Sequence, residues 1–120
     1  VEVANGAGLN ASALVTGMNE PLASAAGNAV EVKNAADFLT GRYRDRRLED
    51  VTLALAAEML QSAGLVSSNQ DGIRRATEAL AGGRAAAVFG RMVTALGGPA
   101  DFVENPEKYL PTAPVELAAT

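Results

Sequence analysis

The residue types that most enzymes use for proton transfer and nucleophilic attack are missing from this sequence. None of its 120 residues is His or Cys, so Ser-His and Cys-His pairs, thiolate chemistry and zinc bound through sulfur are excluded. The carboxylate pairs Glu49-Asp50 and Asp101 with Glu104 lie at predicted helix starts, where negative charge offsets the helix dipole. We therefore expect that this sequence contains no complete active site.

One loop, residues 19–28, could still contact a ligand. It follows an apolar run and ends where a helix is predicted to start at Asn28. In open α/β sheets ligands bind beyond the carboxyl ends of strands, and the free N–H groups of a helix start favour an anion. Small residues such as Ser24 and Gly27 let the backbone approach a ligand. They also fit a tight packing turn, so both interpretations stay open.

The overall charge argues against nucleic acid as a partner. The net charge is −4 and the isoelectric point is about 4.7, whereas binding to a phosphate backbone needs clustered Lys and Arg. The one basic run, residues 42–47, is broken by Asp45 and is interpreted as a solvated loop and helix start. No apolar run approaches the roughly 18 residues of a membrane span. We expect no membrane contact and a cytoplasmic location.

The hydrophobic pattern predicts one short strand and four to five helices. Residues 13–18 form an apolar run that is typical of a buried parallel strand. Such a strand needs neighbours for its N–H and C=O groups, and this sequence supplies none. The helices are predicted over residues 28–40, 46–63, 68–81 and 84–96, with a short fifth helix from residue 99.

Capping signals support three of these helices. Asn28 is the predicted N-cap of the first, with Glu31 completing a capping box. Asp45 and Ser68 are the predicted N-caps of the second and third. The second helix is apolar nearly all round, so we expect it to be buried. Residues 88–96 carry the expected inner face of the fourth.

A series of short segments along the chain resembles the thymidine phosphorylase and pyrimidine-nucleoside phosphorylase family. The segments occur in the family's order and span essentially the whole chain. They are residues 21–22, 26–32, 38–41, 47–48, 50–52, 58–60, 88–93, 98–99, 101–105 and 108–111. The resemblance implies that residues 1–120 are a partial domain, the mostly α-helical middle section of an enzyme's α/β domain with a central mixed sheet. Residues 115–120 would begin a truncated, β-rich C-terminal region.

The implied reaction is the reversible phosphorolysis of thymidine to thymine and 2-deoxyribose 1-phosphate, a step of pyrimidine nucleoside salvage. The parent would bind thymidine and phosphate, act as a homodimer and require no cofactor. The family's phosphate motif, its base-binding Arg, Ser and Lys and its active-site His match no position here. No catalytic residue is therefore carried over, and we expect the chain alone to be inactive.

The resemblance also implies a weak monovalent cation site. Some family members bind a cation through two backbone carbonyls and a Glu side chain, and these positions match Leu22, Ala25 and Asn34. Asn34 would offer a neutral amide in place of a carboxylate. Two neighbouring positions also depart from the family, with Gly17 where an acidic residue is common and Glu20 where Gln is common.

A non-catalytic helical interaction module is the alternative function. It predicts that residues 13–18 satisfy their backbone groups within the chain or by pairing with a second copy of it, and a well-folded monomer with helical residues 13–18 would favour it. An enzyme segment predicts instead a strand that lacks its neighbours. Unpaired strand edges would also favour self-association.

Overall fold

Helices make up most of the ordered structure of this chain. The computed structural model describes residues 1–17 and 19–112, and no strand occurs within them. The helices are α1 (Glu2–Gly6), α2 (Asn28–Thr40), α3 (Arg46–Ser62), α4 (Asn69–Ala81), α5 (Arg84–Ala95) and a 3₁₀ helix (Pro106–Lys108). The predicted mostly α-helical class is confirmed. The predicted strand start at residues 115–118 lies outside the described residues.

The helix starts follow local capping chemistry. Asp45 Oδ1 accepts a hydrogen bond from Leu48 N at 3.0 Å, and Ser68 Oγ accepts one from Asp71 N at 3.2 Å. Both predicted N-caps are confirmed.

The start of α2 is shifted by one residue from the prediction. Gly27, not Asn28, is the N-cap, and Glu31 Oε1 accepts a hydrogen bond from Gly27 N at 2.8 Å. The carboxylate half of the capping box therefore forms. Gly27 has a φ of 130°, a conformation that a residue with a Cβ rarely adopts, so glycine suits this cap.

The predicted strand at residues 13–18 is wrong for the described part, residues 13–17. These residues have no regular structure, and Val15 is fully exposed. Within the described ranges, no backbone group of residues 12–16 has a hydrogen-bond partner. A strand exists only when a second strand completes its ladder, and the described part of the chain contains none.

The core is small and depends mainly on Ala, Val and three larger side chains. Its apolar members are each at most 7% exposed. They are Ala36, Phe38, Ala57, Val66, Leu80, Phe102 and Val103. The side chain of Pro106 is also fully buried.

The predictions that α3 is buried and that α5 turns residues 88–96 inward are wrong. In α3 only Ala57 is buried, and Met59 is 73% exposed. On and just after α5, Val88 is 55% and Leu96 is 80% exposed. Each helix has apolar residues on more faces than its neighbours within the described chain can cover.

The segment after α5 is a turn instead of the predicted fifth helix. Residues 100–104 form turns, with Phe102 N donating to Pro99 O at 3.3 Å. The 3₁₀ helix then starts at Pro106, whose missing N–H suits a first helical position. Phe102 and Val103 reach the core from this turn, so the segment packs tightly without being helical.

Candidate functional site

The candidate ligand loop is irregular and ends at the start of α2. Residues 19–27 contain bends but no helix or strand. Asn34, one helical turn beyond Val30, donates through Nδ2 to Ser24 Oγ at 3.1 Å. With the Glu31 bond to Gly27, two side chains of α2 thus fold back and hold the second half of the loop.

The three positions of the predicted cation site lie in or beside this loop. Leu22 is 37% exposed and Ala25 is half-buried. Asn34 faces the loop, as its bond to Ser24 shows, and is also half-buried. Within residues 1–17 and 19–112, no group of three or more His, Cys, Asp or Glu side chains is arranged to hold a metal ion.

Arg47 of α3 holds the first half of the same loop. Its Nη2 donates to Gly17 O at 2.9 Å, and its Nη1 donates to Glu20 Oε1 at 2.8 Å and to Pro21 O at 3.3 Å. The Arg47 side chain is one-third exposed, at 33%. One guanidinium therefore joins the carbonyl of Gly17, just before the loop, to a carboxylate and a carbonyl at its start.

Two other arginines of the basic run also bind within the chain. Arg42 Nη2 donates to Val103 O at 2.5 Å and to Glu104 O at 3.1 Å. Arg44 Nε donates to Phe38 O at 2.9 Å, and its guanidinium lies 5.9 Å from the centre of the Phe38 ring. Arg42 and Arg46 are exposed, as the interpretation of residues 42–47 as a solvated loop and helix start expects, and α3 begins at Arg46. Arg44 and Arg47 are half-buried, so that interpretation is wrong for these two side chains.

A buried carboxylate anchors the end of α2. Asp37 is only 8% exposed and pairs with Lys33 Nζ at 2.5 Å and Arg42 Nη1 at 3.3 Å. Glu107 lies 3.9 Å from Lys33 Nζ and 3.6 Å from Arg42 Nη1. Two cations and two carboxylates thus alternate here and fasten the 3₁₀ helix to α2. Sequence reasoning missed Asp37, although its spacing of four from Lys33 is a helical ion-pair signal.

Two half-buried carboxylates have lowered pKa values for structural reasons. The hydrogen bond from the Tyr109 hydroxyl, and secondarily Lys108, hold the pKa of Asp101 below its ordinary value. The hydrogen bond from Arg74 is the main cause that lowers the pKa of Asp71. Both groups stay ionised, so neither is suited to act as a general acid near neutral pH.

An apolar groove lies among four helices. It has a volume of about 500 Å³ and is lined by residues from α2, α3, α4 and α5, with Arg75 and Arg84 as its charged lining residues. A second hollow of about 670 Å³ lies between α5 and the turn at residues 100–104. Neither brings together a nucleophile and a base, so neither has the parts of a catalytic centre.

Comparison with known proteins decides the family. The profile of the glycosyl transferase family, a/b domain, matches residues 1–86, which is more than half of the chain. The chain belongs to this glycosyl transferase family. It is 81% identical over 118 residues to the thymidine phosphorylase of Mesorhizobium japonicum. That match covers 98% of the chain and 27% of the relative, so the chain spans about a quarter of the length of the curated protein it matches.

Membership of the glycosyl transferase family confirms the resemblance drawn from the short sequence segments. The profile covers the loop at residues 19–28 and all three residues that hold it, Glu31, Asn34 and Arg47. Asn34 was found through the family pattern. Arg47 lay in one of the matching segments, but no role followed from it, because its partners are about 30 residues away in sequence. Within the described residues, no helix is long and apolar enough to cross a membrane.

Proposed function

We propose that this chain is part of a thymidine phosphorylase, an enzyme that transfers the deoxyribosyl group of thymidine to phosphate and so serves pyrimidine nucleoside salvage. The observation that carries the proposal is the 81% identity to a thymidine phosphorylase over 98% of the chain. The whole enzyme binds thymidine and phosphate and forms thymine and 2-deoxyribose 1-phosphate.

The role of these 120 residues within that enzyme is to support the site, not to supply its reacting groups. The support for this role is the lack of any nucleophile–base pair, since the sequence has no His and no Cys. The loop at residues 22–28 is the closest part of the chain to the substrates. It is irregular and leads into the N-terminus of α2, where free N–H groups favour an anion such as phosphate.

The direct test of the activity uses the full-length enzyme that contains these residues. Incubation with thymidine and phosphate is expected to release thymine in a phosphate-dependent reaction, measured by chromatography. Uridine and a purine nucleoside serve as comparison substrates. Thymine release that does not require phosphate, or turnover of the purine nucleoside alone, would reject the proposal.

A monovalent cation site at Leu22, Ala25 and Asn34 is a finer part of the proposal. The carbonyls of Leu22 and Ala25 and the Oδ1 of Asn34 would be the ligands. Support comes from the contact of Asn34 with Ser24, which lies between the two carbonyl positions, and from Nδ2 being the atom that makes it. A neutral amide gives a weaker site than a carboxylate would, because a charged oxygen binds a cation more strongly.

The cation proposal predicts a gain of affinity from Asn34→Glu. A carboxylate in place of the amide should lower the potassium concentration for half-maximal phosphorolysis by about tenfold, the usual difference between a charged and a neutral ligand. Asn34→Ala is the control and should raise that concentration. An activity that potassium leaves unchanged in the parent enzyme and in both variants would contradict the site.

The same proposal includes two further features of the whole enzyme and one of the isolated chain. The whole enzyme acts as a homodimer in the cytoplasm. Residues 1–120 on their own self-associate. Support for self-association is the set of unpartnered backbone groups at residues 12–16 together with the exposed Leu14 and Val15. Sedimentation at several concentrations tests self-association, and a strictly monomeric chain would count against it.

The alternative, a helical interaction module, gains no support, since residues 13–17 are not helical.

A further inference from the structure

Within the described ranges, Arg47 makes the hydrogen bonds that join the start of α3 to the segment at residues 17–21. It is the second residue of α3, and its three hydrogen bonds all go to residues 17–21. Asp45, the N-cap of α3, fixes the backbone on which Arg47 sits, because its side chain accepts from Leu48 N. The guanidinium therefore projects from a rigid helix start onto an irregular segment.

The chemistry of the contact requires an arginine. Three acceptors lie around one planar group, with Nη2 on Gly17 O and Nη1 shared between Glu20 Oε1 and Pro21 O. A guanidinium has five donors in a fixed fork, whereas a lysine ammonium is a compact point charge on a flexible stem. Lysine could pair with Glu20 but could not hold both carbonyls in the same geometry.

Glu20 is the charge partner of Arg47, and residue 17 is a second position from which a carboxylate could reach the same guanidinium. A Cβ built on Gly17 would lie 3.9 Å from Arg47 Nη2, an ordinary contact distance, and the φ of Gly17 is not positive. A carboxylate at residue 17 would therefore also reach Arg47. In this chain the carboxylate comes from residue 20 instead.

We infer that Arg47, with Glu20 as its charge partner, is a positioning residue that sets the path of the backbone from Gly17 into the loop at residues 22–28. The inference rests on the proposed function, since it assigns this loop to the substrate cleft. Glu31 and Asn34 of α2 hold the second half of the loop, and among the described residues Arg47 of α3 is the side chain that holds the first. Loss of Arg47 leaves the loop tied at one end only.

The first test measures the loop itself by limited proteolysis of the full-length enzyme. Arg47→Ala is expected to speed cleavage within residues 19–23 by about tenfold or more, because the loss of charge-assisted hydrogen bonds makes local opening of the loop more frequent. Arg47→Lys should give an intermediate change. Arg46→Ala is the matched control, because Arg46 is the adjacent exposed arginine and makes no ion pair or side-chain hydrogen bond with the described residues. Equal cleavage rates in the Arg47 and Arg46 variants overturn the inference.

The second test separates positioning from mere stability. Arg47→Ala should lower kcat/KM for thymidine phosphorolysis by about tenfold or more, as expected when a substrate-facing segment shifts. Arg46→Ala should leave it unchanged. A loss of activity in Arg47→Ala that follows only from a smaller folded fraction, with kcat and KM of the folded enzyme unchanged, overturns the positioning role.

Moving the carboxylate gives a rescue experiment that does not depend on Arg47→Ala folding. Glu20→Gln should speed cleavage of the loop and lower kcat/KM, and adding Gly17→Asp to it should reverse both changes. Failure of Gly17→Asp to restore either readout contradicts the partnership. The proteolysis measurements stand even if the enzyme proves to use another substrate, so failure of the proposed function and failure of this inference are distinguishable.

Discussion

Several arginine side chains in this chain act on backbone carbonyls that are distant in sequence. Arg42, Arg44 and Arg47 donate to carbonyls that lie 61, 36 and 30 residues away. Sequence reasoning placed them in a solvated run because the nearest charges, such as Asp45 and Glu49, are acidic and local. The cap at Asp45 was predictable, since its partner is three residues on. The arginine contacts were not predictable from the sequence, because only the fold brings their acceptors near.

Asp101 gives a prediction for the dependence of stability on pH. Its pKa is lowered by the hydrogen bond from Tyr109, with Lys108 as a second cause, from an ordinary value of 3.8. A lowered pKa means that the folded state favours the ionised form. Its contribution to the free energy of unfolding is therefore complete above pH 3.8 and is lost as the pH falls toward the lowered pKa.

Asp101→Asn is expected to lower the free energy of unfolding at neutral pH, measured by urea titration. The deficit relative to the parent should shrink as the pH falls below about 3.8. Tyr109→Phe serves as the control, because it keeps the ring near Phe102 and removes only the hydroxyl. A deficit that stays constant down to the lowest pH tested would contradict the role of the ionised carboxylate.

At the scale of the elements, the contact between α3 and α4 depends on one glycine. Gly72 is buried in α4, and a Cβ built on it would lie 2.9 Å from both Cα and Cβ of Ala57 in α3. Ala57 is itself fully buried. Two helices can approach this closely only where both residues are small.

Gly72→Ala should destabilise the chain although alanine is the better helix former. Overpacking costs about 1–3 kcal/mol, which outweighs a gain in helix propensity of about 1 kcal/mol. Gly90→Ala in α5 is the matched control, since its Cβ would meet Val103 Cγ2 at an ordinary 3.5 Å. Urea unfolding of both variants tests this. Equal or greater stability of Gly72→Ala relative to Gly90→Ala would show that α3 and α4 are not packed as described.

At this scale, features that depend on residues nearby in sequence were predicted correctly, and features that depend on distant neighbours were not. Helix positions came from caps and glycines within a few residues, such as Ser68 before α4 and Gly41 after α2. The strand at residues 13–18 and the burial of α3 depended on neighbours, and both predictions failed for the described residues. Propensity alone could not supply a second strand or a cover for Met59.

At the scale of the whole molecule, several large apolar side chains stay exposed because the described chain has no neighbour to cover them. Leu55 and Met59 on α3, and Val88, Met92 and Leu96 on or after α5, are all at least 45% exposed. Exposed apolar residues in such number mark surfaces that contact other protein. This agrees with the proposal that the chain works as one part of a longer phosphorylase.

The family was predictable from the sequence, whereas the way the loop is held was not. Short matching segments in a fixed order were enough to indicate the phosphorylase family, and the profile and the relative confirm it. The contact of Asn34 with Ser24 and the hold of Arg47 on residues 17–21 required coordinates. Both contacts join a helix to an irregular loop, and no sequence pattern predicts the path of that loop's backbone.

The central claim, that this chain supports a phosphorylase site without supplying its reacting groups, is tested most directly by one assay. Residues 1–120 and the full-length enzyme are compared side by side with thymidine and phosphate, at equal molar concentration. The account predicts phosphate-dependent release of thymine by the full-length enzyme and none above background by residues 1–120. Turnover by residues 1–120 alone would contradict it.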